Sequence, residues 1–411
     1  MQLPHVGLVS SAICQLADRL HAVGTENVRL ATLPGRVLAE TLLADRDSPP
    51  LDVSAMDGYA INLAEIVADE ERAADSSAKV EWSIAGVAAA GFAPRSWLAG
   101  AAVQIFTGAP VPAGADCIIV REQTLEQPGR IQWHGSIHSL RAGQNIRYRG
   151  ENARRGDPVI SAGTVVTSAA LAAIASVAGQ ELCIRKRVRV VILNTGDELI
   201  EPGCAVADWQ IRDSNGPTLA AALSARPWVE VVERRRVADQ LPVISSALSE
   251  SLEHADAVLL TGGVSMGDTD HVPAAVAAVG GQIVFHRLPI RPGKPVLGAV
   301  TKEGKLILGL PGNPVSVAVT TQVIALPLLR RLAGIEPIFT NDPRVEICNS
   351  DHKTLDLTWY RLVQINADGD AALIESRGSG DLISLGRSIG FVTIPPAGYG
   401  PGPWSLSRWD A

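Results

Sequence analysis

The 411-residue chain is 46% hydrophobic and 19% charged, a globular rather than a disordered composition. That length gives room for roughly two to four domains with buried cores. A net charge of −7 without any long basic stripe excludes a general nucleic-acid binder, while an anionic substrate needs only local positive charge. Aromatic residues are only 4%, so the cores must be aliphatic. The five cysteines (Cys14, Cys117, Cys183, Cys204 and Cys348) are scattered and form no C-x-x-C pair. This fits a reducing compartment and argues against a structural zinc site. The N-terminus lacks a positive region followed by an apolar core, so no signal peptide is expected. The most apolar long run, Val315–Leu329, is interrupted by Thr320, Thr321, Gln322 and Pro327 and does not read as a membrane span. A soluble cytoplasmic protein is expected.

Taken in order, Ser10–Val23 carries apolar residues at helical spacing with Ser10 or Ser11 as N-cap, and Pro34–Glu40 starts a second short helix. Asp47-Ser48-Pro49-Pro50 breaks the pattern and marks a boundary. From Asp52 to about Arg149, short β-like runs alternate with Gly and Pro: Lys79–Ile84, Ala102–Phe106, Cys117–Val120 and Arg130–Trp133. These form a separate β-rich module, in which the acidic stretch Glu65–Asp75 reads as a solvated helix or loop. Val165–Val177 is an alanine-rich helix.

From Val188 to about Gly334, strands alternate with helices at Gly216–Leu223, Leu241–Ala255, Val272–Val279 and Val315–Leu332, the signature of a doubly wound α/β domain. Val188–Leu193, Ala257–Leu260 and Lys305–Leu310 are continuous apolar runs, as expected of strands buried on both faces. Each runs into a loop of glycine, small hydroxyl residues or carboxylates, and such loops gather at the carboxyl edge of a parallel sheet, where ligands bind. After Pro337 the helical signal vanishes. Arg344–Asn349, Leu357–Gln364, Ala371–Glu375 and Gly390–Ile394 read as strands of a small β domain.

The loop Thr261-Gly262-Gly263-Val264-Ser265-Met266-Gly267-Asp268 lets backbone N–H groups approach a phosphate, and Ser265 adds a hydroxyl donor. Asp268 and Asp270 would repel that phosphate unless a cation sat between, and an all-oxygen acidic set beside an anion suits Mg²⁺. Helix capping before Val272 is the plainer reading of the same two residues. Arg291-Pro292-Gly293-Lys294-Pro295 holds two cations on a proline-stiffened loop, suited to an anion or simply to solvent. Leu310-Pro311-Gly312-Asn313-Pro314 places Asn313 at an N-cap and Pro314 at the first helical position, another seat for an oxyanion. Asp197 and Glu198 add carboxylates at the same edge, and Asp57 stands in an otherwise small and apolar segment. His271 and His286 are lone histidines and read as structural. Nucleophile-elbow and P-loop patterns are absent, which excludes serine hydrolases and P-loop nucleotidases.

The segments SAMDGYA, TGAPVPAGAD, NTGDEL, TGGVSMGDTD, RPGKP and LPGNPVS occur in this order, followed by GSGDLISL at Gly378–Leu385. Together they closely resemble the molybdopterin molybdenumtransferase family, which includes MoeA and the C-terminal part of gephyrin. The resemblance covers essentially the whole chain. It implies a multidomain α/β plus β protein with a MoaB/MogA-like doubly wound α/β domain at 187–336, a β-rich module at 49–148, a discontinuous N-terminal domain at 1–48 and 149–186, and a C-terminal β-barrel domain at 337–411. It further implies a homodimer that inserts molybdate into adenylylated molybdopterin, releasing AMP with Mg²⁺ assistance. The family's active site lies between the α/β domain of one subunit and the β module of the other. A molybdopterin adenylyltransferase and apo-molybdoenzymes would be further partners; nucleic acid and membranes would not.

Matched by motif, the resemblance assigns catalysis to Asp57, Thr107, Glu198, Asp270 and Lys294, with Glu198 and Asp270 as metal ligands. Gly262, Gly263, Ser265, Asp268, Arg291, Pro311, Gly312, Asn313 and Pro314 would bind substrate. One departure concerns chemistry: the family usually has Gly-Glu-Asp where this chain has Gly150-Glu151-Asn152. Asparagine cannot carry that aspartate's charge, which leaves a molybdopterin-binding carrier without insertion activity as the alternative.

Overall fold

The computed structural model describes residues 6–65, 80–133, 135, 139–178, 181–265, 270–351 and 353–410. The chain forms two compact units, one of Met1–Glu40, Ala162–Leu171 and Glu181–Ala411, the other of Thr41–Ser161 and Ala172–Gln180. The acidic stretch expected to be solvated lies outside the described residues beyond Glu65.

The larger unit is built on a six-stranded sheet: β1 (Val188–Thr195), β2 (Val229–Val237), β3 (Ala257–Thr261), β4 (Gln282–His286), β5 (Leu297–Val300) and β6 (Leu306–Leu310), in the spatial order β2-β1-β3-β6-β5-β4. β2, β1, β3 and β6 run parallel, whereas β5 is antiparallel to both of its neighbours. Among the described residues, α1 (Asn215–Ser224), α2 (Leu241–His254), α3 (Val272–Ala278) and α4 (Pro314–Thr320) pack on this sheet, and the helix Val6–Ala17 packs against β4 and β5. The continuous apolar runs follow from burial on both faces. Val190 and Ile192 of β1 join Leu219, Leu223, Leu259 and Leu308 in one core, while Val191 and Leu193 join Ile244, Leu248, Val258 and Ile307 in the other.

β2 has no such signature. Its sequence, VEVVERRRV, lies at the sheet edge, where Arg235 pairs with Glu233 and with Glu250 of α2. Beyond α4 the helical path continues through a π-turn, Thr321–Ala325, into a helix at Leu326–Leu332. Pro314–Leu332 is long and apolar enough to cross a membrane by length and composition, yet 78% of its window is buried inside the protein. The threonines that interrupt the run stay buried because their hydroxyls donate to carbonyls one turn back, Thr320 to Ser316 at 2.7 Å and Thr321 to Val317 at 2.7 Å.

Three local expectations are corrected. The first helix spans Val6–Ala17, so Ser10 and Ser11 lie within it rather than capping it. Burial of Val9, Ile13, Leu16 and Ala17 sets its register, and Arg331 Nε donates to the Ala17 carbonyl at 3.2 Å. Pro34–Glu40 is not helical: Val37 and Leu38 are extended and bridge to Val165 and Ile184, burying both side chains. A helix does occur after Pro337, at Leu382–Arg387, because Asp381 caps it by accepting from the Ser384 backbone N–H at 3.1 Å. Hydrogen bonds from the Arg377 backbone and from Ser384 hold the Asp381 carboxyl down at about 2. Nearby, the strand Thr25–Arg29 pairs antiparallel with Glu181–Arg185.

The C-terminal region is a β sheet in the order Ile290–Arg291, Thr358–Ile365, Gly390–Ile394, Trp404–Arg408, Arg344–Val345, with Ala371–Leu373 beside the second of these. The smaller unit carries the β-rich module as a six-stranded sheet: Cys117–Val120, Gly58–Ile61, Ala101–Ile105, Glu81–Ala88, Arg130–Trp133, Thr124–Gln127. Its core packs Tyr59, Ile61, Trp82, Ile119, Ile131 and Trp133. All five cysteines are unpaired.

Leu308 is fully buried at the centre of β6. Leu308→Ala is expected to cost about 3 kcal/mol in denaturant unfolding, because the surrounding sheet and helices cannot collapse into the hole. At Ile283, 38% exposed on the edge strand β4, the same change should cost under about 1 kcal/mol. Equal losses at both positions would contradict the assigned core.

Candidate functional site

From β1 the chain passes through α1 to β2 on one side, then through α2 to β3 on the other side of β1. This reversal opens a crevice beyond the carboxyl ends of β1 and β3, where open α/β sheets bind ligands. Four segments reach that edge: 196–198 after β1, 238–239 after β2, 262–265 after β3 and 311–313 after β6.

The glycine loop is shaped by close backbone approach. Gly262 has φ 87°, and a Cβ on it would lie 2.6 Å from the Thr195 carbonyl oxygen, so only glycine lets the β1 and β3 loops touch. Gly262 N–H donates to the Leu310 carbonyl at 3.2 Å, and a Cβ on Gly312 would lie 3.7 Å from the Gly262 Cα. The loops after β1, β3 and β6 are thus neighbours. Val272 N–H donates to the Gly263 carbonyl at 3.0 Å, and His286 Nε2 lies 2.8 Å from the Val264 carbonyl, a supporting role for that lone histidine. Ser265 is exposed. Asp268 lies outside the described residues.

Carboxylates cluster on the β1–β2 side. The Glu198 carboxylate folds back over Gly196, where both of its oxygens would stand 2.9 Å from an added Cβ. Asp270 is half-buried and is not the cap of α3: His271 holds the N-cap position, without a side-chain cap bond. The sequence reading missed Asp239, whose backbone N–H donates to Asp197 Oδ1 at 3.2 Å. Its Oδ1 is buried without a hydrogen-bond partner and faces the Gly263 backbone. Burial pushes the Asp239 carboxyl above its ordinary range; His271 opposes that, and the charges of Asp197, Asp270 and Glu198 add to it. The only signal for Asp239 is its place after β2, the strand whose charges hid it. Among the described residues no group of three or more His, Cys, Asp or Glu forms a ready ligand set for a metal ion.

Cations gather on the β6 side. Arg291, Lys294, Pro311 and Asn313 line a cavity of about 1040 Å³, closed by Trp359, Arg361 and Ser379 of the C-terminal region. Arg361 is held by Asp351 through two hydrogen bonds of 2.6 and 3.0 Å, and its guanidinium lies 4.4 Å from the Trp359 ring centroid. Arg291 approaches the same ring at 5.6 Å. Asn313 stands at the N-cap position of α4 as expected, but its side chain donates to Ser379 Oγ at 3.0 Å instead of capping. Pro314 is the first residue of α4. Nothing in the alternating pattern of the C-terminal strands distinguishes Trp359 or Arg361 from ordinary sheet residues.

Asp57 and Thr107 belong to the smaller unit. Asp57 Oδ1 accepts from the Thr107 backbone N–H at 2.7 Å and from its hydroxyl at 2.8 Å. These two bonds hold the Asp57 carboxyl below its ordinary value.

Two family models match the chain. Residues 8–178 match the MoeA N-terminal region (domain I and II), and residues 191–331 match a probable molybdopterin binding domain. A molybdopterin molybdenumtransferase from Nostoc sp. is 30% identical over 404 residues, covering 96% of this chain and 90% of its own. The Haemophilus influenzae enzyme of the same name is 34% identical over 313 residues, 75% of this chain and 73% of that one. The crystal structure of a molybdopterin biosynthesis MoeA protein from Pyrococcus horikoshii superimposes with a TM-score of 0.80 over 99% of both chains, at 24% identity. That last likeness is one of fold.

Thr107→Val removes one of the two donors to Asp57 and should move its carboxyl up toward the ordinary 3.8. The stabilisation from this carboxylate is present above its unfolded pKa and lost as pH falls through the folded one, so in the variant the loss is smaller and is complete at higher pH. An NMR pH titration of the Asp57 carboxyl reads the shift, and an unchanged midpoint would contradict the assigned bond.

Proposed function

The chain belongs to the molybdopterin molybdenumtransferase family, and from that premise we propose that it inserts molybdate into adenylylated molybdopterin and releases AMP. It is an enzyme of molybdenum cofactor biosynthesis. The observation that carries the finer reading is the meeting of a glycine loop, a carboxylate cluster and a cation-lined cavity at one carboxyl edge of the sheet.

Gly263 and Ser265 present backbone and hydroxyl donors to the substrate's phosphate, and Gly262, whose N–H is taken by Leu310, lets the backbone come close to it. Pro311, Gly312, Asn313 and Pro314 shape the adjoining wall, and Asp268 is a further substrate-binding residue in this reading. Lys294 and Arg291 attract molybdate into the cavity and neutralise charge on the departing phosphate. Asp57 and Thr107 serve the same reaction, and a homodimer is the working assembly. A cytoplasmic location, with a molybdopterin adenylyltransferase upstream and apo-molybdoenzymes downstream, completes the reading.

Mg²⁺ fits the acidic side on one observation: the orphaned Asp239 Oδ1 sits among like charges that a divalent cation would relieve. Glu198 and Asp270 would hold it, and when bound it would supply electrostatic neutralisation of the phosphate.

The test is reconstitution with purified protein, adenylylated molybdopterin, Mg²⁺ and low molybdate, following AMP release and activation of an apo-molybdoenzyme. Molybdate-dependent AMP release is expected, falling by about 10²-fold or more in Glu198→Gln and Lys294→Ala. Wild-type protein that binds substrate but never turns over would favour the carrier reading instead. One observation favours that alternative: Asn152 Oδ1 accepts from Arg147 at 2.8 Å while Arg147 also pairs with Glu151 at 2.5 Å, so a neutral amide is built into this ion pair. A large gain in insertion rate with Asn152→Asp would then identify the missing charge.

A further inference from the structure

A chain of buried polar side chains lies beneath the crevice, and two of its members, Asp213 and Asn215, lie outside every motif picked out in the sequence. Asn194 at the end of β1 is fully buried, and its Nδ2 donates to Thr261 Oγ1 of β3 at 2.7 Å. The same amide lies 3.5 Å from Asp213 Oδ1, and Asp213 is itself only 1% exposed. Asp213 Oδ1 also accepts from the Gly216 N–H at 2.9 Å, fixing the start of α1. One residue away, Asn215 is 8% exposed, and its Nδ2 donates to the Gly312 carbonyl at 2.7 Å. The ends of β1 and β3, the head of α1 and the loop after β6 are therefore tied by one polar thread.

The thread is tightly packed as well as bonded. A Cβ on Gly216 would stand 2.5 Å from Asp213 Oδ2, 2.8 Å from Asn194 Oδ1 and 3.0 Å from Arg234 Nη1. Arg234 faces Asp213 at 3.5 Å, which supplies compensating charge to a carboxylate that burial would otherwise disfavour. An alanine at 216 would push these groups apart while removing none of them.

The last bond in the thread bears on chemistry. In a trans peptide the N–H and C=O lie in one plane and point in opposite directions. With the Gly312 carbonyl fixed on Asn215, the Asn313 N–H is turned to the opposite side. We propose that Asn215 is a positioning residue for the substrate's phosphate: through Gly312 it aims the Asn313 N–H into the crevice, and through α1, Asp213 and Asn194 it keeps that donor in register with the Gly262-Gly263 loop. The proposal rests on the molybdate-insertion reading for the identity of the phosphate.

Two measurements on the full chain test it. The first is steady-state kinetics in adenylylated molybdopterin at saturating molybdate. Asn215→Ala should raise KM about tenfold, because the Gly312 carbonyl loses its buried donor and the peptide is free to turn. The kcat should stay within about threefold, since no group touching the reacting atoms has gone. Gly216→Ala should behave alike, and Asn215→Asp at least as severely, because a carboxylate cannot donate to a carbonyl. The second is hydrogen exchange of the 311–314 segment. Pro311 and Pro314 carry no amide hydrogen, so the segment reports Gly312 and Asn313 alone. Substrate should slow exchange there in the wild type and not in Asn215→Ala.

Wild-type KM together with wild-type protection in Asn215→Ala overturns the proposal. Should that variant fail to fold, Thr261→Val, nearly isosteric, removes the acceptor used by Asn194 and should raise KM in the same direction; a folded Thr261→Val with unchanged KM and protection overturns it equally. Absence of turnover in the wild type would instead sink the insertion reading, and the positioning role would then stand or fall on exchange with AMP as the probe.

Discussion

The reversal of strand order at β1 is the constraint on which the rest of the larger unit depends. The chain leaves β1 for β2 on one side and returns from β2 to β3 on the other, which opens a crevice at the carboxyl ends of β1 and β3, and the loops there satisfy one another. They do so with polar residues at the rim of an apolar sheet. Asn194, Thr195 and Thr261 end their strands fully or almost fully buried, and all three hydrogen-bond across the strand boundary. Such groups are expensive to bury unless they are paired, so their pairing fixes one arrangement of the loops and penalises others.

Charge is divided across this edge. Acidic groups collect on the β1–β2 side, where Asp239 is destabilised as an anion by burial and by its neighbours. Cations line the cavity on the β6 side, where Arg361 is already held by Asp351 and by the face of Trp359, while Arg291 and Lys294 stand exposed on their loop. In the proposed reaction, the first side needs a cation before it can tolerate a phosphate, whereas the second is suited to an oxyanion without help. In that reading the two sides together hold two anions that would otherwise repel.

The parts of this arrangement legible in the sequence were those with a strong local pattern. β1, β3 and β6 announced themselves as unbroken apolar runs because helices cover both of their faces, and the glycine, proline and carboxylate loops after them followed directly. β2 was hidden because an edge strand can carry Glu and Arg along its length, and with it went Asp239, the acidic residue that completes the cluster. The polar thread was hidden for another reason: Asp213 and Asn215 look like loop and cap residues, and only the fold shows that both are buried. Trp359 and Arg361 reach the cavity by tertiary placement alone, through the pairing of Ile290–Arg291 with Thr358–Trp359. Local pattern also misled, as at Pro34–Glu40, where pairing with distant strands overrides helical spacing.

The N-terminal helix and the strand Thr25–Arg29 have a bearing on how the protein is made. The strand pairs with Glu181–Arg185, and Ala17 is bonded by Arg331, a separation of 314 residues. A ribosome adding about 5–20 residues per second exposes the first helix roughly 15–60 s before its anchor emerges. The smaller unit, whose sheet is complete by residue 133, can fold during that wait. During the wait the apolar stripe of Val9, Ile13, Leu16 and Leu20 lacks its final cover, which leaves this segment open to nascent-chain chaperones.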